Sequence, residues 1–106
     1  MSSLIEKCKE QGFSLYTYNC KTILEDMKMW LRTKEDIHIN ITIDMSPIDD
    51  ETSVRVLQYY AEIYDLDSYN PATCKFRMLC SPLKGANYSE ALEIGIDYCT
   101  YLLKAR

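Results

Sequence analysis

The sequence predicts an α+β domain in which a three-stranded antiparallel sheet carries helices packed on one face, in the order (α)–α–β–β–β–α. Residues 37–44 alternate isoleucine with polar residues, which is the period-two pattern of a strand with one apolar face. Residues 20–34 and 91–103 repeat apolar residues at the three- and four-residue spacing of amphipathic helices. Because a sheet with one apolar face must bury that face, we expect the helices to cover it.

The length of 106 residues predicts a single domain over residues 1–106. Within it we expect a short helix over residues 3–11 and an α–β–β–β–α core over residues 19–106. The composition is 47% hydrophobic and 26% charged, as in ordinary globular proteins. It excludes a collagen, a disordered tail and a repeat array.

Targeting features and cysteine usage predict the compartment. No apolar run approaches the roughly 20 residues that span a bilayer, and Met1–Lys7 lacks the pattern of a signal peptide. The five cysteines are odd in number and form no Cys-x-x-Cys pair, which disfavours both a disulfide framework and a zinc site. We therefore expect a cytoplasmic protein with no membrane association, whose cysteines are small buried hydrophobic residues.

The helix over residues 20–34 has two alternative starts. Asn19 is a suitable N-cap, whereas Thr22 followed by Glu25 has the spacing of a capping box. The segment before it, residues 13–18, fits either a linker or an edge strand.

The last helix is predicted to begin after Asn87, with Glu90 at its third position. Residues 81–86, which precede it, have the composition of a loop. Gly95 lies in the middle of the apolar stripe of this helix. A glycine inside a helix costs about 0.5–1 kcal/mol relative to alanine, so we expect the helix to approach the sheet or another helix closely at that point.

Residues 54–66 fit a helix or a strand by spacing, and their tyrosine, valine and isoleucine content favours the strand. Residues 67–71 have the composition of a turn, and residues 75–80 alternate again. The two alternating segments therefore predict a hairpin. The predicted core face of the whole sheet consists of Ile37, Ile39, Ile41, Ile43, Tyr59, Ala61, Ile63, Phe76, Met78 and Cys80.

The α–β–β–β–α order over residues 19–106 resembles that of double-stranded-RNA-binding domains. Those domains read RNA with a lysine-rich start to their last helix. In this chain the corresponding segment, residues 87–93, contains Glu90 and Glu93 and no basic residue. The resemblance therefore implies the topology alone, and duplex-RNA binding is kept only as a hypothesis by fold analogy.

Charge distribution also disfavours nucleic acid as a partner. The net charge is −4, and residues 37–70 hold seven acidic residues against Arg55 alone. Binding to nucleic acid depends on lysine and arginine facing phosphates. An acidic middle segment suits a soluble protein or a basic partner instead.

Three short motifs resemble those of small uncharacterised proteins from phages and mobile elements of gut bacteria. They are Trp-Leu-Arg at residues 30–32, Tyr-Tyr-Ala-Glu-Ile-Tyr at residues 59–64, and Tyr-Ser-Glu-Ala-Leu-Glu-Ile-Gly at residues 88–95. The resemblance covers most of residues 20–104. It implies an origin and a fold, and it implies no catalytic activity.

The sheet face away from the helices is the candidate functional surface. If no helix covers it, two tyrosines and an arginine lie together there, and these residue types are enriched at interface hot spots. The competing interpretation is a solvated face whose tyrosines are partly covered by neighbours. Lys75 and Arg77 are expected to face Glu62 or Tyr64 across the hairpin. The candidate interface residues are Tyr60, Tyr64, Glu62, Arg77, Lys75 and His38.

The leading hypothesis is a small non-enzymatic accessory protein of phage or mobile-element origin, which binds another protein or a second copy of itself through that surface. The alternative is a small cysteine-dependent enzyme or anti-defence factor in which His38 acts as base to a thiol. We assign no catalytic residue, no cofactor-binding residue and no metal ligand.

Overall fold

The structure, a computed structural model, describes residues 2–45 and 57–106. Its elements are α1 (Ser2–Glu10), α2 (Ile23–Lys34), β1 (Ile37–Met45), β2 (Leu57–Asn70), β3 (Lys75–Met78), β4 (Leu83–Gly85) and α3 (Tyr88–Ala105). The predicted α+β class is confirmed, with an antiparallel sheet and helices in the expected order.

Strand β2 is the central strand of the sheet, and β1 pairs with it along one side. All nine residues of β1 pair antiparallel with β2, from Ile37 opposite Asp65 to Met45 opposite Leu57. The strand interpretation of residues 54–66 is therefore right where the structure describes them, and residues 54–56 lie outside the described part. The turn prediction over residues 67–71 is wrong for residues 67–70, because β2 continues to Asn70 and the turn lies at residues 71–74.

The third predicted strand ends at Met78, and a further strand, β4, follows it. Since β1 occupies one edge of β2, both β3 and β4 lie along the other edge. Pro82 stands between them and has no N–H to donate to the ladder. The prediction of a loop over residues 81–86 is wrong for Leu83–Gly85, which pairs with Tyr59–Ala61.

The core lies between the three helices and the odd-numbered side chains of β1 and β2. Ile37, Ile39, Ala61 and Ile63 are completely buried there. The helices contribute Leu4 and Cys8 from α1, Leu24, Met27, Trp30 and Leu31 from α2, and Leu92, Ile96, Cys99 and Leu103 from α3.

The predicted core face is wrong at three positions. Met78 pairs with Tyr64 and therefore lies on the sheet face away from the helices. Ile43 is 58% exposed and Phe76 is 38% exposed. Ile43 lies near the end of β1, and Phe76 is on the hairpin, where it packs on Tyr69 with ring centroids 5.0 Å apart. The helices cover only the middle of the sheet. The alternation of apolar and polar residues in the sequence extends beyond that covered region.

The chain between α1 and α2 is held by aromatic packing. Residues 13–18 form turns and bends, so the edge-strand interpretation of this segment is wrong and the linker interpretation is right. Phe13 is buried against Trp30, with ring centroids 5.6 Å apart. Gly12, with φ at 105°, provides the left-handed residue that ends α1.

Capping decides where α2 and α3 begin. Thr22 Oγ1 accepts a hydrogen bond from the Glu25 N–H at 3.1 Å, so the later of the two predicted starts of α2 is right and Asn19 lies outside the helix. Asn87 Oδ1 accepts a hydrogen bond from the Glu90 N–H at 2.8 Å, which confirms the predicted N-cap of α3.

Two glycines let α3 approach the sheet. A Cβ atom on Gly95 would lie 3.0 Å from Ala61 Cβ and 3.3 Å from Ile39 Cγ2, which confirms the predicted close approach. A Cβ atom on Gly85 would lie 2.6 Å from Ala91 Cα, so a larger residue there would displace the first turn of α3 from β4.

We predict that Gly95→Leu destabilises the protein by about 1–3 kcal/mol or more, because the added side chain would enter a filled space above Ile39 and Ala61. Chemical denaturation monitored by circular dichroism measures this loss. Tyr101→Leu, at a 67% exposed position of the same helix, is the control, and it should change stability by less than about 0.5 kcal/mol. Equal effects of the two substitutions would contradict the packing described for Gly95.

Candidate functional site

The sheet face opposite the helices is built from the even-numbered side chains of β1 and β2. Directly opposed residues of antiparallel strands place their side chains on the same face. The pairing register therefore shows which residues of neighbouring strands share this face. We call this surface the open face. It consists of His38, Asn40, Thr42, Asp44, Gln58, Tyr60, Glu62, Tyr64, Met78 and Lys84.

Burial distinguishes the two faces of the sheet. On the helix side, Ile39 and Ile63 oppose each other and both are completely buried. On the open face, the neighbouring pairs Asn40–Glu62 and His38–Tyr64 are half-buried or exposed, and none of the described side chains of this face is fully buried. The described helices therefore leave the open face accessible.

Hydrogen bonds between neighbours hold the polar side chains of the open face in place. Asn40 Nδ2 donates to Glu62 Oε1 at 3.1 Å, across the β1–β2 pair. The Tyr60 hydroxyl donates to Gln58 Oε1 at 2.7 Å along β2. These hydrogen bonds restrict the rotamers of the long side chains in the unbound protein.

Tyr64 lies between Glu62 and Met78 on this face. Burial first, and then the neighbouring carboxylate of Glu62, raise the pKa of the Tyr64 phenol above its ordinary value. The phenol therefore stays protonated at neutral pH and remains a hydrogen-bond donor. Tyr64 also pairs directly with Met78 of β3, which continues the apolar part of the surface toward the hairpin.

Arg77 and Lys75 do not join the tyrosines, and this part of the predicted interface is wrong. Arg77 pairs with Asp65, on the helix side of the sheet, and its Nη2 lies 3.3 Å from Asp65 Oδ2. Lys75 pairs with Asn70 near the end of the hairpin, beyond an irregularity in the ladder. A one-residue difference in register moves a strand's side chains to the opposite face.

Met78 and Lys84 belong to the open face but were not among the predicted interface residues. Their places depend on two strands separated by an interruption: β3 pairs Met78 with Tyr64, and β4 pairs Lys84 with Tyr60. Pro82 is the sequence feature that indicates such an interruption. The positive charge predicted for this face is therefore supplied by Lys84.

His38 lies on the open face beside Tyr64, as predicted. Its Nδ1 atom is buried and has no hydrogen-bond partner among the described residues. Burial, together with the positive charges of Lys28 and Arg32 on α2, lowers the pKa of the imidazole below its ordinary value. The side chain is therefore neutral at pH 7.

Four of the five cysteines are poorly placed for nucleophilic chemistry. The expectation that all five are buried is wrong, because Cys74 is exposed and only Cys8 and Cys99 are fully buried. Burial raises the pKa of the Cys8 and Cys99 thiols to about 12. The pKa of Cys20 is raised by its hydrogen bond with Asp26, and that of Cys80 is raised by burial. The thiolate is the reactive form of cysteine. A raised pKa at these four thiols therefore disfavours the nucleophile that a cysteine enzyme needs.

The geometry of the described residues also offers no support for a histidine–thiol pair. Over residues 2–45 and 57–106, no hydrogen bond joins His38 to a cysteine. In the same ranges, no group of three or more histidine, cysteine, aspartate or glutamate side chains is arranged to hold a metal ion.

Comparisons with protein-family models, with curated proteins and with solved structures find no match to this chain. Among the described helices, none has both the length and the apolar character needed to cross a bilayer. A function must therefore be inferred from the chemistry of the open face itself.

We predict that His38 makes the protein less stable as the pH falls. Its folded pKa is lower than the unfolded value of 6.5, so the unfolded chain binds the proton first. The stability contributed by the neutral form is complete above pH 6.5 and is lost as the pH falls through that value toward the folded pKa.

Denaturant unfolding of the wild type and of His38→Thr at about pH 7 and about pH 5.5 measures this effect, in a range where histidine is the side chain that ordinarily titrates. His38 is the one histidine in the chain. The variant should lose less stability between the two pH values than the wild type. An identical loss in both proteins would show that His38 is not responsible.

Proposed function

We propose that this protein is a small non-enzymatic accessory protein that binds another protein through the open face. The observation that carries the proposal is the difference between the two faces of one sheet. Ile39 of β1 and Ile63 of β2 are completely buried by helices, whereas Tyr60 and Tyr64, both on β2, are covered by no described helix. The sheet thus presents large side chains on a rigid, already folded support.

The chemistry of the surface suits a protein partner. Tyr60, Tyr64 and Met78 offer large contact areas and few rotatable bonds, and tyrosine and methionine are enriched in interfaces. Each tyrosine also presents a hydroxyl, so the surface combines apolar contact with hydrogen bonding. The existing hydrogen bond of Tyr60 to Gln58 reduces the entropy lost on binding.

The charges of the open face disfavour nucleic acid. Glu62 and Asp44 are acidic, and Lys84 is its one lysine or arginine within the described strands. The first turn of α3, which carries basic residues in RNA-binding domains of similar element order, contains Glu90 here. A surface with so few cations gains little from contacts with phosphates.

The resemblance of the three motifs to small phage and mobile-element proteins supports an accessory role of that origin. The raised pKa values of the four thiols count against the cysteine-dependent enzyme that was the alternative hypothesis. We therefore favour binding over catalysis, with a partner protein as the ligand.

We predict that Tyr60→Ala/Tyr64→Ala abolishes binding to the partner while the fold is kept. Cross-linking and capture from the source cell identifies candidate partners, and titration of the purified partner measures affinity. The expected loss is about thirtyfold or more, because truncation of a hot-spot residue costs about 2 kcal/mol. Circular dichroism checks the fold of each variant.

The matched control is Tyr16→Ala/Tyr101→Ala, which removes two exposed tyrosines outside the sheet. It should bind as the wild type does. If the open-face variant and this control bind the purified partner with equal affinity, the open face is not the binding surface.

A further inference from the structure

We infer that the outer edge of β1 pairs antiparallel with the same edge of a second copy of this chain, which joins the two sheets about a twofold axis. This inference goes beyond the proposed function, because it concerns the edge of the sheet and names the chain itself as the partner.

Strand β1 is an edge strand in the described structure. It pairs with β2 along one side, and the sheet order places no other described strand beside it. Its nine residues keep one unbroken register with β2. Such an edge presents a row of backbone N–H and C=O groups to any strand that approaches it.

Within the strand itself and the other described residues, β1 lacks several of the devices that protect edge strands in monomeric proteins. Monomers place lysine, proline, a bulge or an inward-pointing charge on such edges. Strand β1 has no proline, no lysine and no bulge, and Asp44 is its one carboxylate. A strand of this length without protection is suited to pairing with another strand.

The apolar side chains of β1 are buried unevenly along its length. Ile37 and Ile39 are completely buried, Ile41 is half-buried, and Ile43 is 58% exposed. A twofold axis at Ile41 would place Ile43 of each copy beside Ile39 of the other. Cross-strand pairs of β-branched residues stabilise sheets, so this register covers the isoleucine that the helices leave exposed.

The same register matches the polar side chains. With the axis at Ile41, Asn40 opposes Thr42 of the second copy, and His38 opposes Asp44 of the second copy. Registers that shift by one residue would place isoleucines beside polar residues and are disfavoured. A twofold axis at Ile41 therefore pairs apolar with apolar side chains on one face of the joined sheet and polar with polar side chains on the other.

Charge favours the antiparallel direction. Lys28 and Arg32 of α2 place two positive charges near His38, against the exposed carboxylate of Asp36 and a Glu35 carboxylate that is already paired with Arg106. Asp44 carries an exposed carboxylate at the other end of β1. Antiparallel pairing about a twofold axis brings the positive end of each copy to the negative end of the other. Such complementarity selects orientation and register, and here it selects self-pairing.

Sedimentation velocity and light scattering over a concentration series test the inference. The wild type should reach twice the mass of one chain, and Ile43→Lys should remain monomeric because it places a lysine on the edge. Tyr101→Lys, which changes another exposed residue outside the sheet, should dimerise as the wild type does. A wild type that is monomeric at every concentration would overturn the inference.

Charge-reversal variants test whether Asp44 of one copy meets Lys28 and Arg32 of the other in the dimer. Asp44→Lys alone and Lys28→Glu/Arg32→Glu alone should each raise the dimer Kd about tenfold or more, because each brings like charges together. A mixture of the two variants should form a heterodimer, since both contacts in it join opposite charges. A dimer whose Kd is unchanged by Ile43→Lys and by both charge variants would show that another surface joins the copies.

Tyr60→Ala/Tyr64→Ala separates this result from the proposed function. If the edge of β1 joins the copies, this variant should dimerise normally, whether or not it still binds a partner protein. Loss of the dimer in this variant, with its fold retained by circular dichroism, would place the contact on the open face and contradict pairing through the edge.

Discussion

The contact of α3 with the centre of the sheet is the constraint on which the other features of this protein depend. Gly95 allows the helix backbone to come within van der Waals distance of Ile39 and Ala61. That approach buries the odd-numbered side chains at the middle of the sheet, Ile37, Ile39, Ala61 and Ile63. Because side chains alternate along a strand, the even-numbered ones are directed to the other side, where they form the open face.

The sequence predicted those features that depend on local patterns. Alternating isoleucines placed β1, and a glycine in an apolar stripe predicted the approach of α3, because both effects arise within one element. The face of Arg77 could not be predicted in this way. It depends on the register of β3 against β2, and a single irregularity between Asp65 and Asn70 determines that register. The exposure of Ile43 depends likewise on how far the helices extend over the sheet.

Arg77 and Lys84 show how such a register error changes the functional interpretation. With Arg77 on the open face, the surface would be cationic beside the tyrosines. With Arg77 paired to Asp65, the open face is a mixed surface of tyrosine, amide and carboxylate groups, with Lys84 at its margin. This composition fits a protein partner, and the unprotected edge of β1 beside it fits a second copy of the chain.

Solvent accessibility of individual side chains in solution tests the central claim, that helices cover one face of the sheet and leave the other face accessible to solvent. Nuclear magnetic resonance with a soluble paramagnetic probe measures it, through the relaxation of methyl and ring protons. We predict strong relaxation enhancement at Tyr60, Tyr64 and Met78, and almost none at Ile39 and Ile63. Equal protection of both groups in the monomer would contradict the account.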